Sequence, residues 1–158
     1  MRIRLSLALA ASALGTFVTM ATGQPEARAV QPDARPAPPA AFTKVCVRCH
    51  PSDKIVEGRR YRTQWDQVLE QMVARGATGT DEEFDVIADY LVAQYGRVAI
   101  NTAPADEIAQ VLHLEPGLAD TIVQQRSKAG PFADFAALTA VPGVPAADLE
   151  KLRDAIVF

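Results

Sequence analysis

Apolar positions along this chain follow three patterns, and the changes between them mark its parts. Residues 5–20, LSLALAASALGTFVTM, are almost continuously apolar, with Arg2 and Arg4 before them and Ala21 and Gly23 after. Residues 24–40, QPEARAVQPDARPAPPA, have no apolar period. From residue 41 onward apolar side chains recur every three or four positions, the spacing of amphipathic helices.

In that third part a short helix is expected from about Ala41 into Cys46–His50. It ends there because Pro51 disfavours helical geometry at the residue before it. A loop with Gly58, Arg59, Arg60, Tyr61 and Arg62 follows. Thr63, with Asp66 three residues on, then predicts a capped helix whose stripe is Trp65, Val68, Leu69, Met72 and Val73, closed by Gly76. Thr80 with Glu83 predicts the next cap, and Phe84, Ile87, Ala88, Leu91, Val92 and Tyr95 make one apolar face before Gly96.

Beyond residue 98 the register comes from internal similarity. Val111-Leu112-His113-Leu114-Glu115 and Val141-Pro142-Gly143-Val144-Pro145 lie 30 residues apart, each leading into a helical stretch. Asn101 and Thr102 precede a helix with Pro104 in its first turn, where proline is tolerated, and Ile108, Val111 and Leu112 form its buried side. A second helix is expected over about 116–127, with Leu118, Ala119, Ile122 and Val123 apolar. Gly130-Pro131-Phe132 turns into a third helix carrying Phe132, Phe135 and Leu138, and a last helix presents Leu149, Leu152 and Ile156.

The leader has the basic, apolar and small-residue zones of a secretory signal peptide, residues 1–29, with cleavage after Gly23 or Ala29. Its apolar run is shorter than the roughly 18–20 residues of a spanning helix, so the mature protein is expected to lack a transmembrane segment and to be periplasmic. An uncleaved leader would instead act as an anchor. The proline- and alanine-rich linker, 24–40, cannot build a core and reads as an extended tether. Residues 41–97 and 98–158 then form two small units. The chain carries 16 basic and 19 acidic residues, so overall charge points to no polyanionic partner.

The chemistry concentrates in Cys46-Val47-Arg48-Cys49-His50, which reads C-x-x-C-H, the attachment signature of a c-type haem. Two cysteines three apart lie on one side of a helical turn, so both thiols can join the vinyl groups of one porphyrin. His50 then supplies the proximal iron ligand. A redox pair, half a zinc site and a plain disulfide are the competing readings of C-x-x-C. However, no βαβ pattern follows, and the chain has only two cysteines and one further histidine, His113. Export favours haem, because c-type haem is attached outside the cytoplasm. Met72 is the one methionine beyond the leader, and a thioether commonly completes such a site and raises its potential. Core packing for Met72, His113 as the sixth ligand, or an open sixth position are the alternatives. The basic cluster Arg59, Arg60, Arg62 would neutralise haem propionates, steer an acidic partner, or simply lie in solvent.

C-x-x-C-H, then a methionine, then a helix containing Asp89-Tyr90-Leu91, resembles a small class I cytochrome c. The stretch QWDQVLEQMVARGA is similar to the short haem domains of some quinohaemoprotein dehydrogenases. These resemblances cover residues 42–95 and imply one covalent haem c, one-electron transfer, periplasmic redox partner proteins and no substrate conversion. Met72 departs from the pattern by lying in a helix where a loop is usual. A porphyrin would also give three short helices the core they otherwise lack.

Ile100-Asn101-Thr102-Ala103, Ile122-Val123-Gln124-Gln125-Arg126, Gly130-Pro131-Phe132 and Val141-Pro142-Gly143-Val144 resemble a tandem helix-hairpin-helix module. Modules of this type occur in ComEA-like competence DNA receptors and in an extrinsic photosystem II subunit. DNA-binding members use two hairpin glycines to bring backbone N–H groups to a phosphate. Here His113 and Glu115 stand at those positions in the first hairpin, and Pro145, which has no N–H, stands at one in the second. Residues 98–158 hold four basic and eight acidic side chains, a formal charge of −4, which argues against binding through phosphates. The fold expected is therefore all-α: a small cytochrome c-like helical domain, 41–97, followed by a tandem helix-hairpin-helix domain, 98–158, that docks a protein partner. A DNA-binding protein with attached haem and a haem sensor or enzyme with an open sixth site are the rival functions.

Overall fold

The computed structural model describes residues 35–158; the expected signal peptide and most of the expected linker lie outside the described residues. Arg35–Phe158 form one compact unit. The first four helices are α1 Ala40–Val45, α2 Ser52–Ile55, α3 Arg62–Ala74 and α4 Asp81–Tyr95. A two-residue strand, β1 Val98–Ala99, leads into α5 Ala105–Leu112, α6 Pro116–Ala129, α7 Phe135–Thr139 and α8 Ala146–Lys151. A 3-10 turn, Arg153–Ala155, ends in β2 Ile156–Val157, which pairs in parallel with β1. The described chain is thus mostly helical rather than all-α, because its last residues close back onto residues 98–99.

Several boundaries follow from local chemistry. Thr80 Oγ1 accepts from the Glu83 N–H while Glu83 accepts from the Thr80 N–H, the reciprocal pair that starts α4. Gly76, at φ +101°, stops the turn after α3. The start of α3 differs from the expected Thr63–Asp66 pair. Tyr61 is the capping residue, and its N–H is held by Gln64 Oε1 at 3.0 Å. The short α2 was not foreseen; Pro51 ends one segment and, with its fixed φ, also starts the next.

Two positions 30 residues apart confirm the internal repeat. His113 (φ +53°) and Gly143 (φ +88°) both take the left-handed conformation, one in each hairpin, between α5 and α6 and between α7 and α8. The residues of the repeat signature bind one another. Asn101 Nδ2 donates to the Phe132 carbonyl at 2.9 Å, and the Phe132 N–H returns to Asn101 Oδ1 at 2.8 Å. The Arg126 guanidinium donates to the Ile100 and Ala103 carbonyls. The signature therefore ties the loop before α5 to the end of α6.

A single apolar cluster runs across the chain, from Phe42, Trp65, Ile87 and Leu91 to Ile108, Ile122, Leu138 and Leu149. Trp65 is wholly buried and gives its Nε1–H to the Tyr95 carbonyl at 3.1 Å. Gly96 sits where α4 meets α5, and a Cβ there would overlap the Val92 carbonyl and lie 2.8 Å from Val111 Cγ2. Glycine is required at this point for close approach, since its φ of −74° is ordinary. Among the described residues no helix is long and apolar enough to cross a membrane.

Candidate functional site

After α1, residues 46–49 continue as turn and His50 makes a bend. Phe42 and Val45 anchor the helix in the core, so the chain departs from a fixed point. Pro51, extended at ψ 151°, carries it away into α2. Both cysteines are free thiols; Cys46 is half-buried and Cys49 exposed. Burial pushes the Cys46 thiol above its usual range.

Cys46, Cys49, His50 and Met72 all line one cavity of about 450 Å³, within the roughly 300–1,000 Å³ typical of cofactor pockets. Its walls are apolar: Val45 from α1, Ile55 from α2, Val68 and Leu69 from α3, Ala77, and Phe84 and Leu91 from α4. The α3 stripe was expected to be a helical core face. Instead only Trp65 is buried, while Val68, Leu69 and Met72 are half-buried along the cavity and Val73 is exposed. Met72 lies inside α3, as its spacing predicted.

His50 carries a second signal. Its Nδ1 is buried without a hydrogen-bond partner, a state that is uncommon and calls for an explanation. Among the described residues no three His, Cys, Asp or Glu side chains converge on a metal position. A tetrahedral zinc site would need such a set; a porphyrin supplies four nitrogens itself and asks the protein for one or two axial atoms. Two thiols, a half-buried imidazole, a thioether and apolar walls fit that group.

The basic cluster disperses in the fold. Arg59 turns away from the cavity, with Nε on Asp154 at 2.8 Å and Nη1 on the Gly96 carbonyl at 3.2 Å. Arg62 reaches Gln110 and Asp89. Of the cluster only Arg60 lines the cavity, joined there by Lys54 and Arg75. Those last two were missed from the sequence. For Arg75 the signal was helical spacing, three residues after Met72; for Lys54, which lies on α2 beyond the break at Pro51, no local signal existed.

His113 does not line the cavity; it is exposed and ends α5. In the first hairpin it stands with Glu115 on either side of buried Leu114, and Pro116 opens α6. In the second, the residue before α8 is Pro145. No curated protein and no solved structure matches the chain. Residues 93–157 match the family described as helix-hairpin-helix motif.

Proposed function

We propose that this protein is an exported c-type cytochrome that transfers single electrons, with its helix-hairpin-helix segment docking a partner. The observation that carries this reading is the convergence of Cys46, Cys49, His50 and Met72 on one apolar cavity. Haem c, when bound, supplies a reversible one-electron change at iron. Cys46 and Cys49 would hold it by thioethers, so the chain would keep it without relying on affinity. His50 would offer the iron a nitrogen and Met72 a sulfur. Val68, Leu69, Phe84 and Leu91 give the cavity apolar walls, which would keep water from a group bound there, and a drier surrounding disfavours the more highly charged state of a bound centre. The protein works as a carrier, not an enzyme, among periplasmic redox proteins.

The test is expression in a host that exports and haem-loads such proteins, followed by absorption spectra of both oxidation states. Covalent low-spin haem with the far-red band of sulfur-ligated ferric iron supports the reading, and a colourless protein overturns it. Replacing Met72 by alanine should abolish that band and admit azide or carbon monoxide. If the unaltered protein already binds them without losing a sulfur ligand, it is a haem sensor or enzyme.

The match of residues 93–157 favours a second reading, a DNA-binding or competence-type protein with attached haem. Taken alone, the comparisons speak for this reading and carry nothing toward haem. Against it stand an αL histidine where glycine would admit a phosphate, Glu115 beside it, and the formal charge of −4 over 98–158. A mobility shift of duplex DNA at low salt that weakens steeply with added salt would establish the second reading.

A further inference from the structure

The cavity has a charge pattern of its own. Three of its lining residues are cationic (Lys54, Arg60 and Arg75), and none is acidic. A cation against apolar walls costs free energy unless an anion meets it. The three are not equivalent. Lys54 is exposed and paired with Glu57 at 2.9 Å, and Arg75 is exposed at the end of α3. Arg60 is half-buried and, among the described residues, makes no ion pair, unlike its neighbours Arg59 and Arg62.

Arg60 is also held in place. Its N–H donates to the Tyr95 carbonyl at 3.1 Å, and its own carbonyl accepts from the Arg97 N–H at 2.8 Å. The guanidinium lies over the Trp65 ring, 4.7 Å from its centroid, and Nη1 donates to the Glu57 carbonyl at 2.7 Å. A planar guanidinium stacked on an indole loses little freedom when it binds an anion. The single bond to Glu57 leaves further N–H donors in a fork that matches a carboxylate.

Resting on the haem reading above, we propose that Arg60 is the residue that takes a carboxylate of the bound tetrapyrrole, so that the cavity selects the free-acid form. The α3 walls accept the macrocycle, Arg60 takes the acid group, and Trp65 keeps the guanidinium aimed.

The test uses the full exported chain before haem attachment, kept reduced, titrated with haemin and with haemin dimethyl ester and followed in the Soret band. The unaltered protein should prefer haemin. R60Q should lose roughly ten- to a hundredfold in haemin affinity, the range of one charge-assisted hydrogen bond, with ester affinity unchanged. R60K, which keeps the charge but not the fork, should recover only part of the preference. Circular dichroism should show that both variants keep the helices; if R60Q loses them, R60M takes its place in the comparison. Equal affinity for acid and ester in the unaltered protein, or a preference that survives R60Q, overturns the role of Arg60 and leaves the haem reading standing. Failure to bind either compound overturns the role of Arg60, while the haem reading is decided separately by the spectra of the exported, haem-loaded protein.

Discussion

The two sequence signatures of this chain meet opposite fates in the fold. In residues 98–158 the signature is consumed internally: Asn101 and Phe132 exchange hydrogen bonds, Arg126 closes on two carbonyls, and Ile122 and Leu149 are wholly buried. Around C-x-x-C-H the reverse holds. Both thiols are free, His50 Nδ1 is buried without a partner, and the α3 stripe stays half-buried along a cavity. Groups that satisfy one another maintain a fold; groups left with bonding capacity around a cavity are the ones with a ligand to meet.

The strongest way to break that contrast is at the seam. Gly96→Ala places a methyl into the Val92 carbonyl and against Val111. Backbone overlap cannot be relieved by a rotamer change, so the variant should lose about 3 kcal/mol or more, at the upper end for overpacked sites. Urea unfolding of the full chain measures it, and a near-neutral result would mean the seam is loose.

Next in size is a matched pair of truncations. Ile122→Ala in the filled core should cost about 2–5 kcal/mol. Leu69→Ala on the cavity wall should cost about 1 kcal/mol in haem-free protein, because much of that side chain is already in contact with solvent. Once haem is bound, the cost of Leu69→Ala should rise toward that of Ile122→Ala. Equal costs in haem-free protein would remove the distinction between the regions.

A smaller effect, of opposite sign, is expected at the hairpin. His113 holds φ +53° as a non-glycine residue, and His113→Gly should stabilise the chain by about 1 kcal/mol by relieving that conformation. The smallest effect concerns the thiols. In haem-free protein Cys49 should alkylate before Cys46, because burial raises the Cys46 pKa. A raised folded pKa means that the folded chain holds this proton more tightly than the unfolded one. The associated stability is therefore full below the unfolded thiol value, near 8.5, and declines as pH rises through the folded value. Alkylation rates measured site by site from pH 7 to 10 check the order.

How much of this was legible in the sequence depends on how local its causes are. The Thr80–Glu83 cap, the stop at Gly76 and the 30-residue repeat could be read because each rests on residues a few positions apart or on a regular spacing. The helix after Pro51 and the capping role of Gln64 were not, because two competing local solutions lie within two residues of each other. The β1–β2 pairing, the shared apolar cluster and the dispersal of Arg59, Arg60 and Arg62 depend on contacts between distant segments. For the candidate site, Cys46, Cys49, His50 and Met72 were legible from chemistry and spacing; Lys54 and Arg75 became visible only when the cavity brought them together.

The most direct measurement is acid–organic extraction of the purified, haem-loaded full chain, followed by peptide mass mapping. The account predicts that the pigment stays with the polypeptide, one per chain, on the single peptide that contains Cys46 and Cys49. Pigment extracted into the organic phase, or a peptide with both sulfurs unmodified or joined to each other, would contradict it.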